Sequence, residues 1–263
     1  MIEAVNSSWT DVAAHLEAAA ARTGADAASG LAFLPFGALE QHGPHLPLGT
    51  DTATAAEVAR RLAERLDAVL LPPVHYGDTW NNAGYPGTVG LSTATVTAIA
   101  VDIGRALVHS GARGLVIVNG DWGNRQPLAT AARILNDERL LPTIVLDHPG
   151  MDAAIERVRE SEPAAPGLNH AEEVETSIML ALDPHLVHTD RYVSAYPVFP
   201  SDFGTRPMQL HPFSESGVFG DPATATAAKG ATILADTVTA SLEVLEGFTA
   251  TLGAPPAARP PAP

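Results

Sequence analysis

Short apolar runs that alternate with longer amphipathic stretches constrain the fold of this chain more than any other feature. The runs are Leu31–Phe36, Ala68–Pro72, Gly114–Val118 and Thr143–Leu146. Such runs are typical of buried strands, and the apolar residues between them recur at helical spacing. Strands that are joined through helices pair in parallel by right-handed crossovers. The pattern therefore predicts an α/β protein with a mostly parallel sheet that is covered by helices on both faces.

The predicted helices extend along the whole chain. They cover about residues 9 to 22, 52 to 66, 92 to 110, 125 to 136, 152 to 160 and 221 to 245, and a further helix opens within residues 169 to 176 and runs to 182. Ser92 and Asp221 are the predicted N-terminal caps of two of them. Residues 183 to 220 are predicted to be irregular. We expect a single domain over residues 1–250 and a disordered Pro/Ala-rich tail over residues 251–263.

The composition excludes several classes of function. Thirty acidic and 15 basic side chains give a formal net charge of −15, which disfavours nucleic acid and anionic membranes as partners. No apolar run reaches the ~18 residues of a membrane span, and the N-terminus lacks the features of a secretory signal. We therefore expect a cytoplasmic protein. The chain has no cysteine, so any metal must be held by His, Asp and Glu.

One loop, directly after the first apolar run, concentrates chemically active residues. It reads Glu40-Gln-His42-Gly-Pro-His45-Leu-Pro-Leu-Gly-Thr-Asp51. Loops at the end of a buried strand hold side chains in fixed positions, and imidazole and carboxylate are common ligands of divalent metals. A lone histidine here would more often bond a loop carbonyl, but two histidines with two acids favour a metal site. We expect His45 to orient a ligand or a loop carbonyl.

A second acidic position follows another predicted strand. Asp121 lies in Asn119-Gly-Asp-Trp-Gly-Asn124, directly after Gly114–Val118. Because parallel strands end at the same edge of a sheet, the loops after both strands can meet there. Glu40, His42, Asp51 and Asp121 are therefore predicted to share one crevice.

Two further segments carry candidate site residues. His170, Glu172 and Glu175 open a predicted helix, on which Glu172 and Glu175 are an i, i+3 pair; alternatively, these acids only favour the helix dipole. The loop of residues 73–90 contains Trp80 and Asn82, and loops of that length are often functional. With Trp122, they are predicted to form a pocket for a planar or amide-bearing substrate; alternatively, the tryptophans only fill gaps beside the core.

Five motifs resemble those of the creatininase (creatinine amidohydrolase) family, in the same order, over about residues 30 to 245. They are Gly37-Ala-Leu-Glu-Gln-His-Gly-Pro-His-Leu-Pro-Leu48 with Asp51, Tyr85-Pro-Gly-Thr88, Asn119-Gly-x-x-Gly-Asn124, His170-Ala-x-Glu-x-Glu-Thr176 and Ser216-Gly-Val-x-Gly-Asp-Pro222. The resemblance implies a three-layer α/β/α domain that assembles as a hexamer. It also implies hydrolysis of a C–N amide bond at a site with two divalent ions of Zn, Mn or Fe.

The resemblance also suggests roles for individual residues. Glu40 would bind one metal and His42 the other, Asp51 would bridge them, and Asp121 and Glu175 would complete the ligand set. Two adjacent cations can share a deprotonated water and polarise an amide carbonyl. His170 would then pass a proton to the leaving nitrogen, or act as a hydrogen-bond partner.

The sequence departs from the family pattern at several positions. Asp121 stands where the family has a histidine, which makes the ligand set richer in oxygen and favours Mn²⁺, Fe²⁺ or Mg²⁺ over Zn²⁺. Gly123 stands where creatininase has an acidic ligand, and Glu172 replaces a glycine, which places another acid at the cavity edge. Residues 150–168 lack the tryptophan that recognises creatinine, so creatinine is not the expected substrate.

Three functions remain open from the sequence. The first is a metal-dependent amidohydrolase that acts on a small cyclic or formylated amide. The second is a peptidase that trims a ribosomal precursor peptide, as in the mycofactocin system. The third is a non-hydrolytic biosynthetic or binding protein with an altered metal site. The substrate, the metal and the assembly are not determined by the sequence.

Overall fold

A five-stranded sheet forms the centre of the fold in the computed structural model, which describes residues 1–22 and 28–252. Its strands are β1 (Ile2–Glu3), β2 (Leu31–Phe36), β3 (Val69–Leu70), β4 (Gly114–Asn119) and β5 (Thr143–Leu146). The strand order is β1-β3-β2-β4-β5, and every neighbouring pair is parallel. The sequence analysis missed β1, because two residues leave no apolar pattern. The predicted strand at 68–72 is shorter in the structure, since Pro72 cannot donate to a ladder.

Within the described ranges, seven α-helices connect and cover the strands. They are α1 (Trp9–Ala20), α2 (Thr50–Leu66), α3 (Thr93–His109), α4 (Arg125–Asp137), α5 (Met151–Val158), α6 (Glu173–Leu182) and α7 (Ala227–Thr251). None of the helices in the described residues is long and apolar enough to cross a membrane. The predicted tail lies, from residue 253 onward, outside the described residues.

Helix caps agree with the prediction at one position and differ at another. Ser92 caps α3 by accepting the backbone N–H of Thr95. The predicted cap of α7 by Asp221 is wrong, because Thr226 holds that place and accepts the N–H of Lys229. Asp221 instead accepts the hydroxyl of Ser194 at 2.7 Å. Its position five residues earlier is part of a turn that the local pattern does not distinguish from a cap.

Alternate residues of the central strands point to opposite faces, which produces three layers. Phe33 and Val116 pack with α2, α5, α6 and α7 on one face. Leu34 and Ile117 pack with α3 and α4 on the other. Each fully buried side chain of this kind stabilises the fold by about 1.5–3 kcal/mol. The predicted α/β fold, with a parallel sheet covered on both sides, is confirmed.

The register of the two central strands positions the loops that follow them. Phe36 at the end of β2 pairs with Asn119 at the end of β4. The loop with Glu40 and the loop with Asp121 therefore begin side by side at the carboxyl edge of the sheet. This edge is where α/β proteins bind ligands.

Candidate metal centre

Close backbone approach brings the two loops together at this edge. A Cβ atom at Gly120 would lie 2.3 Å from the backbone oxygen of Asp51, so only glycine allows this contact. Asp51 lies in the first turn of α2, and Glu40 is held by a hydrogen bond from its N–H to the oxygen of Leu48. Asp121 caps a 3-10 turn by accepting the N–H of Gly123 at 3.1 Å.

Two groups of potential ligands share Asp51. One group consists of His42, Asp51 and Glu175, and the other of Glu40, Asp51 and Asp121. Within each group, one ligand atom from every residue lies within 4.8 Å of the others. The structure therefore brings together all five residues that were predicted to hold metal, with Asp51 between the two groups.

The hydrogen bond at the far side of His42 leaves its inner nitrogen free for a ligand. His42 Nδ1 lies 3.1 Å from the backbone oxygen of Glu40, and because a carbonyl only accepts, Nδ1 carries the proton. Nε2 points to Asp51 Oδ1 at 3.1 Å and to Glu175 Oε2 at 3.5 Å. A hydrogen bond that fixes the tautomer in this way is typical of histidines that bind metal through the other nitrogen.

Several polar atoms at the centre of the cluster are buried without a hydrogen-bond partner in the described residues. They are Glu40 Oε2, His42 Nε2, Asp51 Oδ2 and Asp121 Oδ2. Buried polar groups are almost always paired, since an unpaired one costs about 1–3 kcal/mol. Unpaired polar atoms on residues whose ligand atoms lie this close together fit a site that holds cations.

Burial and mutual repulsion raise the pKa of two of the acidic side chains. Burial raises the pKa of Glu40 well above its usual range, and the charges of Asp121 and Asp51 raise it further. Burial, and then the charge of Asp51, raises the pKa of Asp121 in the same way. Burial opposes ionisation of Glu175, but the charge of His42 in its protonated form outweighs it and lowers the pKa of Glu175 to about 2. Positive charge at this point is therefore what keeps the carboxylates ionised.

Glu175 is positioned by a strained turn before α6. Ala171 has a φ of 53°, in the left-handed region that a side chain disfavours. In this conformation its N–H donates to Glu175 Oε2 at 2.5 Å. This left-handed residue lies between His170 and Glu175, and local strain of this kind is common at functional sites.

His170 lies over the cluster and is oriented by Gln41. Its Nε2 is 2.9 Å from the backbone oxygen of Gln41 and 2.6 Å from the side-chain amide nitrogen of the same residue. That amide also donates to Asn82 Oδ1 at 3.0 Å and to the oxygen of Gly217 at 3.2 Å. Its two hydrogens are thus used, so His170 Nε2–H donates to the Gln41 carbonyl. His170 Nδ1 then faces Glu40 Oε1 at 3.7 Å.

Gln41 is a positioning residue that the sequence analysis did not single out. Its backbone carbonyl accepts from His170, and its side-chain amide donates to Asn82 and to the backbone oxygen of Gly217. The signal that could have revealed it is its place between Glu40 and His42 in the motif. Its role depends on Gly217, which is distant in sequence, and no local pattern shows that contact.

His45 contacts a helix hydroxyl in the structure, rather than the ligand or loop carbonyl that was expected. Its Nε2 lies 2.9 Å from the hydroxyl of Thr176, which follows Glu175 on α6. His45 is fully buried, and burial lowers its pKa to about 4, so the ring is neutral at pH 7. It therefore ties the loop after β2 to the start of α6.

A cavity of about 420 Å³ opens from the cluster to the surface, within the ~300–1,000 Å³ that is usual for small-molecule sites. Trp80 and Trp122 line it, and both remain about half exposed or more, at 51% and 65%. His170 lines it too. The remaining wall comes from residues 166–169 and from 203–208 with Leu210. The sequence analysis missed residues 203–210, because that segment has no periodic pattern.

Two predicted substrate-binding residues lie behind the cavity wall. Asn82 is fully buried and accepts a hydrogen bond from Gln41. Glu172 is 1% exposed and caps α6 by accepting the N–H of Val174 at 3.1 Å. Arg159 lies 3.3 Å from the same carboxylate, and burial raises the pKa of Glu172 to about 7 despite that positive charge. The structure thus gives Asn82 and Glu172 supporting contacts rather than places in the wall.

The sheet is parallel and is covered by helices on both faces. A cluster of buried carboxylates with an imidazole lies where its strands end. The chain is therefore an α/β protein with a candidate metal centre. Residues 14–245 match the family of creatininase, described as creatinine amidohydrolase. The chain belongs to the creatininase family, and it is a hydrolase of the class that acts on C–N bonds.

Individual relatives agree with that assignment. The mycofactocin precursor peptide peptidase of Mycolicibacterium smegmatis is 39% identical over 216 residues, which cover 79% of this chain and 81% of the relative. A crystal structure of creatininase superposes with a TM-score of 0.80 at 29% identity, covering 94% of this chain and 97% of that one. A manganese form of creatininase superposes with a TM-score of 0.77 at 29% identity, covering 94% and 98%.

Proposed function

We propose that the protein hydrolyses a C–N amide bond with the help of two divalent cations. Glu40 and Asp121 would hold one cation, His42 and Glu175 the other, and Asp51 both. The observation that carries the proposal is the set of buried, unpaired atoms, namely Glu40 Oε2, His42 Nε2, Asp51 Oδ2 and Asp121 Oδ2. Three of these four atoms are carboxylate oxygens, so the donor set fits hard divalent ions.

The charge of the cluster suits two cations. Four ionised carboxylates, from Glu40, Asp51, Asp121 and Glu175, would balance two divalent ions. Because Asp121 contributes oxygen where the family pattern has nitrogen, we expect Mn²⁺, Fe²⁺ or Mg²⁺ to compete well with Zn²⁺. Bound cations of this kind provide a deprotonated water at neutral pH and polarise an amide carbonyl.

The protein itself provides the group that moves the proton. His170 Nδ1 faces Glu40 Oε1, while its Nε2–H is held by the carbonyl of Gln41. Burial, and then the charge of His42, lowers the pKa of His170 to about 4. A neutral imidazole can accept a proton at Nδ1 and pass it to the leaving nitrogen. Gln41 keeps the ring in the orientation that this transfer requires.

Two substrate classes fit the cavity. A small cyclic or formylated amide is the first, with Trp80 and Trp122 stacking on a planar group. A peptide is the second, and it is favoured by the higher identity to a peptidase than to the creatinine amidohydrolase of Pseudomonas putida, 39% against 32%. The half-exposed tryptophans also leave the cavity open to a longer chain. Hexameric assembly and a cytoplasmic location remain predictions.

Metal content per protomer tests the proposal directly. The protein would be purified without a chelator or a His tag and measured by elemental analysis beside Asp51→Ala and Asp121→Ala. We expect about two equivalents in the natural protein and losses in both variants. Screening of amides, lactams, formamides and short peptides with the identified metal then follows.

The opposite result would contradict the proposal of a two-metal hydrolase. One equivalent or none, unchanged in Asp121→Ala, would favour a binding protein or another C–N chemistry. Asp121→His separates these readings further. If this variant binds more metal and gains an amidase activity that the natural protein lacks, the natural protein has lost hydrolysis in the course of evolution.

A further inference from the structure

We infer that Arg206 binds a carboxylate of the substrate, so that the preferred substrates are amides with a free carboxylate on an apolar group. Arg206 is the only lysine or arginine among the described residues that line the cavity of about 420 Å³. The reaction named here rests on the proposed function, but the binding of a carboxylate does not.

The guanidinium is held at one edge and free at the other. Arg206 Nε donates to Asp202 Oδ2 at 2.8 Å, and its backbone N–H donates to the oxygen of Asp202 at 3.1 Å. Neither terminal nitrogen of Arg206 has a hydrogen-bond partner within residues 1–22 and 28–252. The ion pair therefore uses the Nε edge of the guanidinium and leaves the two terminal nitrogens in the fork geometry that a carboxylate accepts.

The segment that carries Arg206 is anchored on both sides. The ring of Phe199 stacks on that of Phe203 with centroids 3.9 Å apart, and Phe213 packs against Phe199 at 5.2 Å. The N–H of Leu210 donates to the oxygen of Asn81 at 2.8 Å. Arg206 thus belongs to a wall that is packed onto the core and onto the turn that carries Trp80.

The cavity has two chemically different parts. The loops after β2 and β4 and the start of α6 contribute the carboxylates of the metal centre. The wall beside Arg206 is mainly apolar, with Trp80, Phe203, Met208 and Leu210. A substrate that places its amide at the metal centre would therefore place an apolar group here and a negative charge at Arg206.

A carboxylate suits Arg206 better than a phosphate. One guanidinium carries a single positive charge, which Asp202 already shares, so a dianion would bring more negative charge than the site can balance. A carboxylate carries a single charge and has the planar shape of the donor pair.

Kinetics on a matched pair of substrates test the inference. N-acetyl-L-phenylalanine carries a carboxylate, and N-acetyl-L-phenylalaninamide replaces it by a neutral group of similar size. Acetate release would be measured for the natural protein, Arg206→Gln and Arg206→Lys. We expect Arg206→Gln to lower kcat/KM for the acid about 10- to 100-fold and to leave the amide nearly unchanged. Arg206→Lys should be intermediate, because it keeps the charge and loses the fork.

A control variant separates local from general effects. Arg105→Gln removes another exposed arginine whose Nε is also paired to a carboxylate, that of Glu138 at 3.1 Å, but it lies outside the cavity. It should leave both substrates unaffected. The inference would be overturned if Arg206→Gln lowered kcat/KM equally for the acid and the amide, or if it left kcat/KM for the acid unchanged.

Binding measurements keep the inference separate from the proposed function. Calorimetry would compare 3-phenylpropionate, 3-phenylpropanamide and phenylphosphonate, none of which contains the acetyl amide. If 3-phenylpropionate binds more tightly than the other two compounds and loses this advantage in Arg206→Gln, the inference is supported. This holds even if neither acetylated substrate is hydrolysed, and in that case only the proposed function fails. Carboxylate binding that is unchanged in Arg206→Gln, or phosphonate binding that is tighter and depends on Arg206, overturns it.

Discussion

His42 Nε2 lies 3.1 Å from Asp51 Oδ1, and although both side chains are buried the two atoms do not form a hydrogen bond. The opposite side of the ring is occupied by the carbonyl of Glu40. The imidazole is therefore held firmly and directed at a carboxylate that it does not bond. The two atoms are close enough to act as adjacent ligands of one cation in the proposed site, and Asp51 is nearer to this nitrogen than Glu175 is, at 3.5 Å.

The shared position of Asp51 predicts a difference in metal stoichiometry. Because Asp51 belongs to both ligand groups and His42 lies on one side of it, Asp51→Asn should lose both cations, and His42→Ala should lose about one of two. Elemental analysis of purified protein measures this. Asp137→Asn, an exposed acid at the end of α4, is the control and should retain the natural content. Equal loss in the two site variants would contradict a bridging role.

The tight turn at Gly123 predicts that a side chain cannot be tolerated there. A Cβ atom at this position would lie 1.9 Å from the backbone oxygen of Asp78. We expect Gly123→Ala to destabilise the protein by roughly 1–3 kcal/mol and to lower its metal content, because the N–H of Gly123 holds Asp121. Urea unfolding and elemental analysis check both effects.

The matching control lies in α7. Gly247 has no atom within 4 Å of an added Cβ, and alanine is favoured over glycine inside a helix by about 0.5–1 kcal/mol. Gly247→Ala should therefore stabilise the protein. If Gly123→Ala behaves in the same way, the contact with Asp78 does not constrain the loop.

The lowered pKa of Glu173 predicts that the protein loses stability in acid. Its buried carboxylate accepts from Lys229 Nζ at 2.6 Å and from the N–H of Ser161 at 2.7 Å. Burial opposes ionisation, but these contacts outweigh it and lower the pKa of Glu173 to about 2. An acid whose folded pKa is depressed stabilises the protein above its unfolded pKa of about 4.3, here by roughly 3 kcal/mol. This contribution is lost as the pH falls toward about 2.

Unfolding free energies at pH 7, 4 and 3 would measure that contribution. Glu173→Gln should be less stable than the natural protein at pH 7 and should lose less stability on acidification. Glu243→Gln, an exposed residue of α7, should follow the natural protein at each pH. Parallel curves for the natural protein and Glu173→Gln would show that Glu173 is not the titrating group.

Substitution of Glu172 is expected to affect activity although its side chain does not line the cavity. Its carboxylate caps α6, the helix that carries Glu175. Glu172→Ala should destabilise the protein by about 1 kcal/mol and lower kcat, since the start of α6 would shift. Glu172→Gln retains an oxygen that can accept the N–H of Val174, so it should preserve most of the activity. A variant that changes only KM would instead place Glu172 in contact with substrate.

The sequence by itself determined the local structure and the chemistry of the ligands. The apolar runs predicted β2, β4 and β5 because buried parallel strands leave continuous apolar segments. The loop from Glu40 to Asp51 indicated metal because few other sites need two imidazoles and two carboxylates so close together. The motifs also identified the family, and the matching residues 14–245 confirm it.

Only the tertiary structure decided how these residues meet. No pattern along the chain sets the distance between Asp51 and Glu175, because it depends on how α2 and α6 pack on the same sheet face. The same holds for Glu172, whose burial follows from its neighbours across the fold, and for Arg206, whose place in the cavity depends on packed phenylalanines and a backbone contact to Asn81. Periodicity reports which face of an element is buried, whereas contacts between distant segments arise from packing, and these contacts place the groups at the site.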